Sequence, residues 1–274
     1  MSDEAKKPFS DPLHPNRPWP WPAPSEPETK AAPAIELKQP RVIVIEDRGK
    51  QYTFTLARIA KKLWLRYFEG ILNTSENQGG KRVDSFDSSA ARLDLVEQSL
   101  TTASGYSLPE GKTSIDQVEG WKGMLPLSHR LGVANAIISV SASEPCDDDP
   151  ISLGQESVFL DAVWSAGDDG VMRKFKGLRH NFKSPTSEQQ RRVSRDSSRS
   201  RVVGGSRNGK TQWLGAQATL ADLYDELIVS VEGYTVDGTT PDRDAIIEFM
   251  DTYHKVAAVD VLFAPAAPKV EEEA

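Results

Sequence analysis

Residues 204–211, Gly-Gly-Ser-Arg-Asn-Gly-Lys-Thr, carry the spacing G-x-x-x-x-G-K-[ST] of a phosphate-binding loop. In that chemistry, Gly204 and Gly209 let backbone amides close on phosphate oxygens. Lys210 would reach the outer phosphates and Thr211 would hold magnesium. The flanking residues argue against it. A buried parallel strand should precede the loop as a long apolar run, but only Val202 and Val203 do so. The helix should open at the lysine, yet Gly215 stands four residues beyond Thr211. No acidic residue closes an apolar run downstream. Gly79-Gly80-Lys81 is a comparable loop upstream. A flexible glycine loop is therefore the plainer reading, and a nucleotide-binding enzyme the alternative.

The second concentration of chemistry is charge. Residues 173–210 hold 12 Lys or Arg against Glu188 and Asp196, in a chain of net charge -7. Arg173, Lys174, Arg191, Arg192, Arg195, Arg199, Arg201 and Arg207 are the candidate contacts. Arginine and serine can hold phosphates without reading sequence. Aromatics on which bases would stack are limited to Phe175 and Phe182. The rest of the chain is acidic and repels nucleic acid. An acidic protein face, including that of another copy, is the favoured partner, with a nucleic-acid accessory role as a further alternative. Trp19 and Trp21, inside Pro18-Trp19-Pro20-Trp21-Pro22, are candidate anchors on a partner protein.

Other candidates carry less. His129 and His254 have no nucleophile at a telling spacing and read as hydrogen-bonded or exposed helix residues. His180, among arginines, reads as a surface residue. Asp147-Asp148-Asp149 lacks the alternation and glycine of a calcium loop. No catalytic residue, metal or cofactor is assigned.

Composition sets the bounds. A chain of 274 residues has room for two domains. Its hydrophobic content of 38% is low enough that part of it should lie outside a core. The single Cys146 rules out an internal disulfide framework. The first residues lack the apolar core of a signal peptide, and no apolar run reaches the length of a membrane span. The expected location is the host cytoplasm or the virion, without membrane contact.

The elements follow from pattern. Residues 1–39, rich in proline, read as a disordered arm. A β-hairpin is predicted over 41–56, turning at Asp47-Arg48-Gly49-Lys50. Ile59, Leu63, Tyr67 and Ile71 share one face of a helix over 57–72. A polar loop should run from 73 to 84, with helices over 88–103 and 115–140, the latter breaking at Pro126. A linker over 142–155 leads to strands at 158–164 and 171–175, a basic helix or loop, and helices over 216–231 and 243–263. Residues 265–274 are an acidic tail.

The order repeats. Asp94, Leu95, Gly105 and Tyr106 fall on Asp222, Leu223, Gly233 and Tyr234 at an offset of 128. His129 falls on His254 at an offset of 125. The expected fold is α+β: a tandem duplication of a β-hairpin plus three-helix unit, residues 40–141 and 156–264, packed as a pseudo-two-fold pair.

The stretch with Trp64, Tyr67-Phe68-Glu69-Gly70 and Ser85-Phe86-Asp87 resembles small virion-assembly proteins of tailed phages, nearest to tail-assembly chaperones. So does the stretch with Phe182, Pro185-Thr186, Gly205-Ser206-Arg207, Leu223-Tyr224-Asp225 and Glu232-Gly233-Tyr234. The resemblance spans 40–140 and 158–264 and transfers no catalytic residue. It implies a non-enzymatic assembly or adaptor protein that binds other tail or head proteins, and self-association is a further expectation from the basic segment on an acidic chain. The duplication and the proline arm depart from a compact chaperone and leave a structural virion role open.

Overall fold

The computed structural model describes residues 34–78, 81–144, 152–165, 170–203, 210–213 and 215–264, with 72–85 and 201–213 described by backbone alone. Order begins ahead of residue 40. Ile35 and Leu37 are buried, and β1 (Ile35–Glu36) pairs in parallel with Tyr234–Thr235. Two apolar side chains placed in the interior hold this end of the expected arm in place.

The predicted hairpin follows, as β2 (Arg41–Asp47) and β3 (Lys50–Leu56). Arg48 and Gly49 take positive φ, 54° and 72°. A two-residue turn of that kind matches the twist of the strands it joins. α1 (Lys61–Gly70) is shorter than the helix read over 57–72, because Ile71 turns extended. The polar stretch read as a loop instead forms β4 (Leu72–Gln78) and β5 (Lys81–Asp87), paired throughout. α2 (Ser89–Ser99) passes straight into β6 (Leu100–Ser104). Leu100 is already extended while its N–H still reaches the carbonyl of Val96. β6 joins β3, giving the order β2-β3-β6. The helix read over 115–140 is three pieces: a 3-10 turn at Ile115–Gln117, α3 (Trp121–Met124) and α4 (Leu127–Ile137), with Pro126 before α4. β7 (Val140–Ala142) ends the half in sequence but joins the sheet of the second half.

The second half runs through the same kinds of element. β8 (Gln155–Ser165) and β9 (Met172–Lys183) are a longer hairpin than the pattern predicts. α5 (Ser187–Ser197), β10 (Ser200–Val203) and β11 (Lys210–Trp213) follow. α6 (Gln217–Leu227) passes straight into β12 (Ile228–Glu232), then β13 (Tyr234–Thr235). α7 (Arg243–Phe249) and α8 (Thr252–Leu262) finish the half, separated at Met250-Asp251. The carboxylate of Asp251 caps α8 by accepting from the Tyr253 amide at 2.8 Å. The sheet order here is β12-β9-β8-β7. Each half thus has more strands than a single hairpin, which corrects the expected hairpin-plus-three-helix unit.

Each half closes over its own core. Phe54, Leu56, Trp64, Leu95 and Val133 centre the first. Leu160, Phe182, Leu223, Tyr224 and Val259 centre the second, which also takes in Ile35 and Leu37. The seam between them is bonded rather than open. Arg41 on β2 pairs with Asp251 at 3.0 Å, both side chains buried. It also donates to the Ile137 carbonyl and lies 3.4 Å over the Trp164 ring. Tyr253 from α8 stands 5.1 Å from Trp64 and 5.9 Å from Phe68 of the first core. Lys61 reaches Asp222 at 2.8 Å. The described residues accordingly lie in one compact unit.

A third sheet crosses the seam, in the order β10-β11-β4-β5. A pseudo-two-fold pair would bring strands of the same rank together, β4 on β10 or β5 on β11. Instead the second strand of one hairpin meets the first strand of the other, with Thr211↔Ser75 and Gln212↔Thr74. The halves are joined head to tail at this sheet.

Candidate functional site

The residues expected to hold phosphate do not open a helix. Lys210 and Thr211 begin β11, antiparallel to β10 with Val203↔Lys210 and Val202↔Thr211. A phosphate loop depends on the amides and dipole of a helix that starts at the lysine, and α6 begins only at Gln217. Gly204, Gly209 and Arg207 lie outside the described residues, as do Trp19 and Trp21.

The basic segment divides between two elements. Arg173 and Lys174 are exposed on β9, where Lys174 approaches Asp161 at 3.5 Å. Arg191, Arg192 and Arg195 lie on α5, with Arg199 just beyond it. The helix starts there because Thr186 and Gln189 form a capping box. Arg192 is held by Glu226 at 2.8 Å and Asp222 at 3.6 Å. Arg195 and Arg199 lie 3.3 Å and 3.0 Å from the buried Asp196. The Thr219 hydroxyl, donating at 2.5 Å, and then the two arginines draw the Asp196 carboxyl below its usual range. Acidic side chains of the same half therefore offset much of the positive charge. Arg191, Arg192, Arg195, Gln189 and Glu226 line an open depression along α5. Arg201 is in β10.

The histidines are interior residues. Tyr224 Oη lies 2.9 Å from His180 Nδ1, and Tyr234 Oη lies 3.0 Å from His180 Nε2. Tyr234 Oη then lies 2.9 Å from His254 Nδ1. His180, expected at the surface, is fully buried. The signal for this was the alternation Leu178, His180, Phe182 on β9, all three buried. Burial pushes His180 down to about 3 and takes both tyrosines well above their ordinary values. Burial, then the Arg41 charge, lowers His254 as well. All four groups are neutral, so the chain of hydrogen bonds can run in either of two senses. If Tyr224 donates to His180, His180 to Tyr234 and Tyr234 to His254, every hydroxyl is used. His254 Nε2–H is then left beside the Trp164 ring, 5.2 Å between centroids at 88°. Reversing the chain leaves the Tyr224 hydroxyl without an acceptor instead, so either sense leaves one buried donor unmatched.

The first half holds a shorter version. Tyr106 Oη lies 2.6 Å from His129 Nδ1, and His129 Nε2 lies 3.2 Å from Asp47. The same tautomer serves, with Nε2–H donated to the carboxylate at the protein surface. Burial, and behind it the neighbouring Tyr52 and Asp47, push the Tyr106 hydroxyl up to about 12. The Tyr106 hydroxyl is therefore protonated at neutral pH.

Among the described residues, no group of three or more His, Cys, Asp or Glu could hold a metal ion. No described helix is long and apolar enough to cross a membrane. No protein-family profile matches the chain, and neither a curated protein nor a solved structure matches it.

Proposed function

We propose that the chain is a tandem duplication working as a non-enzymatic assembly or adaptor protein of a phage-like particle. The observation that carries the duplication is the repeated tyrosine–histidine contact. Tyr106 and Tyr234 each stand two residues beyond a strand that continues directly from a helix, β6 and β12, and each meets Nδ1 of a histidine on the last long helix of its half. The element starts agree. Leu72 and Ser200, Ser89 and Gln217, and Leu100 and Ile228 are all 128 apart. Gly105 and Gly233 both take positive φ just before the two tyrosines.

Two copies of one packing unit multiply binding surfaces rather than build a single reaction centre. In the second half the groups best suited to proton chemistry are sealed in the core and neutral. What remains outside is the α5 depression with its arginines, suited to an acidic protein face. Two linked contacts raise effective concentration, which suits assembly. The diffuse likeness to tail-assembly chaperones supports a partner among virion or tail components.

A tagged pull-down from the native host tests this reading. Specific recovery of head or tail proteins, reduced by Arg191→Glu/Arg195→Glu, is the expected result. Recovery of none overturns it. A Lys210→Ala variant should behave as wild type with Mg-ATP, neither binding it; loss of a real Mg-ATP affinity would favour a nucleotide enzyme instead.

A further inference from the structure

The sheet that crosses the seam has two free ends, and they match each other. β11 and β4 pair in the middle, while β5 and β10 each have one hydrogen-bonded neighbour among the described residues. The established join follows a rule: the outer edge of a second hairpin strand, β11, meets the outer edge of a first hairpin strand, β4, antiparallel. Among the described residues, the edges without a second strand partner are the remaining second strand, β5, and the remaining first strand, β10. An edge strand exposes a row of amides and carbonyls that another chain can complete. Neither Lys81–Asp87 nor Ser200–Val203 contains proline, which would block such pairing. Phe86, on β5, is 65% exposed.

We propose that copies of this chain assemble head to tail, the outer edge of β5 in one copy pairing antiparallel with the outer edge of β10 in the next. The strand directions require this sense. Successive strands of β10-β11-β4-β5 alternate, so a following β10 continues the alternation. The contact is heterologous: each copy uses one edge and offers the other, so the assembly closes as a ring or extends as a filament. The internal join also sets the register. Counted from the helix after each hairpin, the counterparts of Thr211 and Ser75 are Val83 and Val203. Counted through the hairpin pairing, Val203 meets Ser85 instead, two residues along and on the same face. The proposal deepens the assembly reading by naming one partner as the chain itself. Its test needs only the purified chain, so it can fail while binding to other virion proteins stands.

The test is cross-linking in full-length protein with Cys146→Ser as background. Val83→Cys or Ser85→Cys protein is mixed with Val203→Cys protein and mildly oxidised. Directly opposed residues in an antiparallel pair stand about 4.5–5.5 Å apart, within disulfide reach. Inside one chain, β5 and β10 are three strand spacings apart, about 14 Å, beyond that reach. Ser75→Cys/Thr211→Cys in a single chain is the control and should close an internal bridge. The expected result is that bridge, a dimer-sized product only in the mixtures, and wild-type species larger than a monomer in native mass spectrometry. A monomer at all concentrations overturns the proposal. So does an oligomer without the mixed cross-link, or a control that does not close, since the sheet to be extended would then be absent.

Discussion

Tyr234 Oη lies 2.9 Å from Nδ1 of His254, within hydrogen-bond reach, in the sealed core of the second half. The same hydroxyl lies 3.0 Å from Nε2 of His180, so it holds two rings at once. Tyr106 makes the equivalent contact with His129 near the surface and serves one ring only. Removing Tyr234 Oη strands two buried nitrogens, and an unsatisfied buried group costs about 1–3 kcal/mol. Tyr234→Phe should therefore cost about 3 kcal/mol and Tyr106→Phe about 1 kcal/mol. Denaturant unfolding at neutral pH compares them, and equal losses would contradict the inward chain.

The buried histidines make stability fall with acid. His180 has a folded value of about 3, against about 6.5 in the unfolded chain. Its pKa is lower in the fold, so the unfolded state takes up the proton first. The stabilisation is complete above about pH 6.5 and is lost as pH falls toward 3. At pH 5 His180 alone should account for about 2 kcal/mol, and His254 acts in the same direction. Unfolding free energies measured from pH 7.5 to 5 should drop by at least that much. In His180→Gln the slope should flatten, whatever its starting stability. A profile unchanged by that substitution would remove His180 as the cause.

Arg41 and Asp251 join the halves through a buried ion pair. Burial opposes the charge on both, lowering the Arg41 guanidinium and raising the Asp251 carboxyl. Removing one partner leaves the other charged and unmatched, at a cost of about 3–5 kcal/mol. Arg41→Met and Asp251→Asn should each fall in that range. The asparagine keeps an oxygen able to cap α8, which separates loss of charge from loss of the cap. The double variant should recover part of the sum. Strict additivity in urea unfolding would mean the pair is not coupled.

The sequence exposed some of this plan and hid the rest for physical reasons. The hairpin at Arg48-Gly49 was legible because alternation and turn chemistry agree. The passage from α2 into β6 was not. Leu95, Val96, Ser99 and Leu100 are all buried, and their spacing continues a helical stripe across the boundary. The β-branched residues after it, Thr101-Thr102 and Ile228-Val229, were the available signal. β4 and β5 carry only Leu72, Val83 and Phe86 as apolar residues, so periodicity had little to detect. Tyr106, Tyr234, His129 and His254 stood out by their repeated spacing, whereas their pairing depended on how the last helices fold back on the sheets. The arginines of α5 read as a free basic patch because Asp222 and Glu226, which offset Arg192, lie a helix away in sequence.

Gly105 connects that legibility to a last expectation, because it delivers Tyr106 to His129. Its φ is +95°, and a Cβ there would fall 2.5 Å from the Gln51 carbonyl oxygen. Backbone cannot yield as a flexible side chain does. Gly111 has a similar φ of +78°, but a Cβ there meets nothing within 4 Å. Gly111→Ala should show conformational strain alone, about 1 kcal/mol. Gly105→Ala adds a clash with β3 and pushes Tyr106 off its histidine, so its loss should be about 3 kcal/mol or more. Thermal unfolding of the two variants separates the terms. Equal shifts would mean that the close approach of β6 to Gln51 does not hold Tyr106 in place.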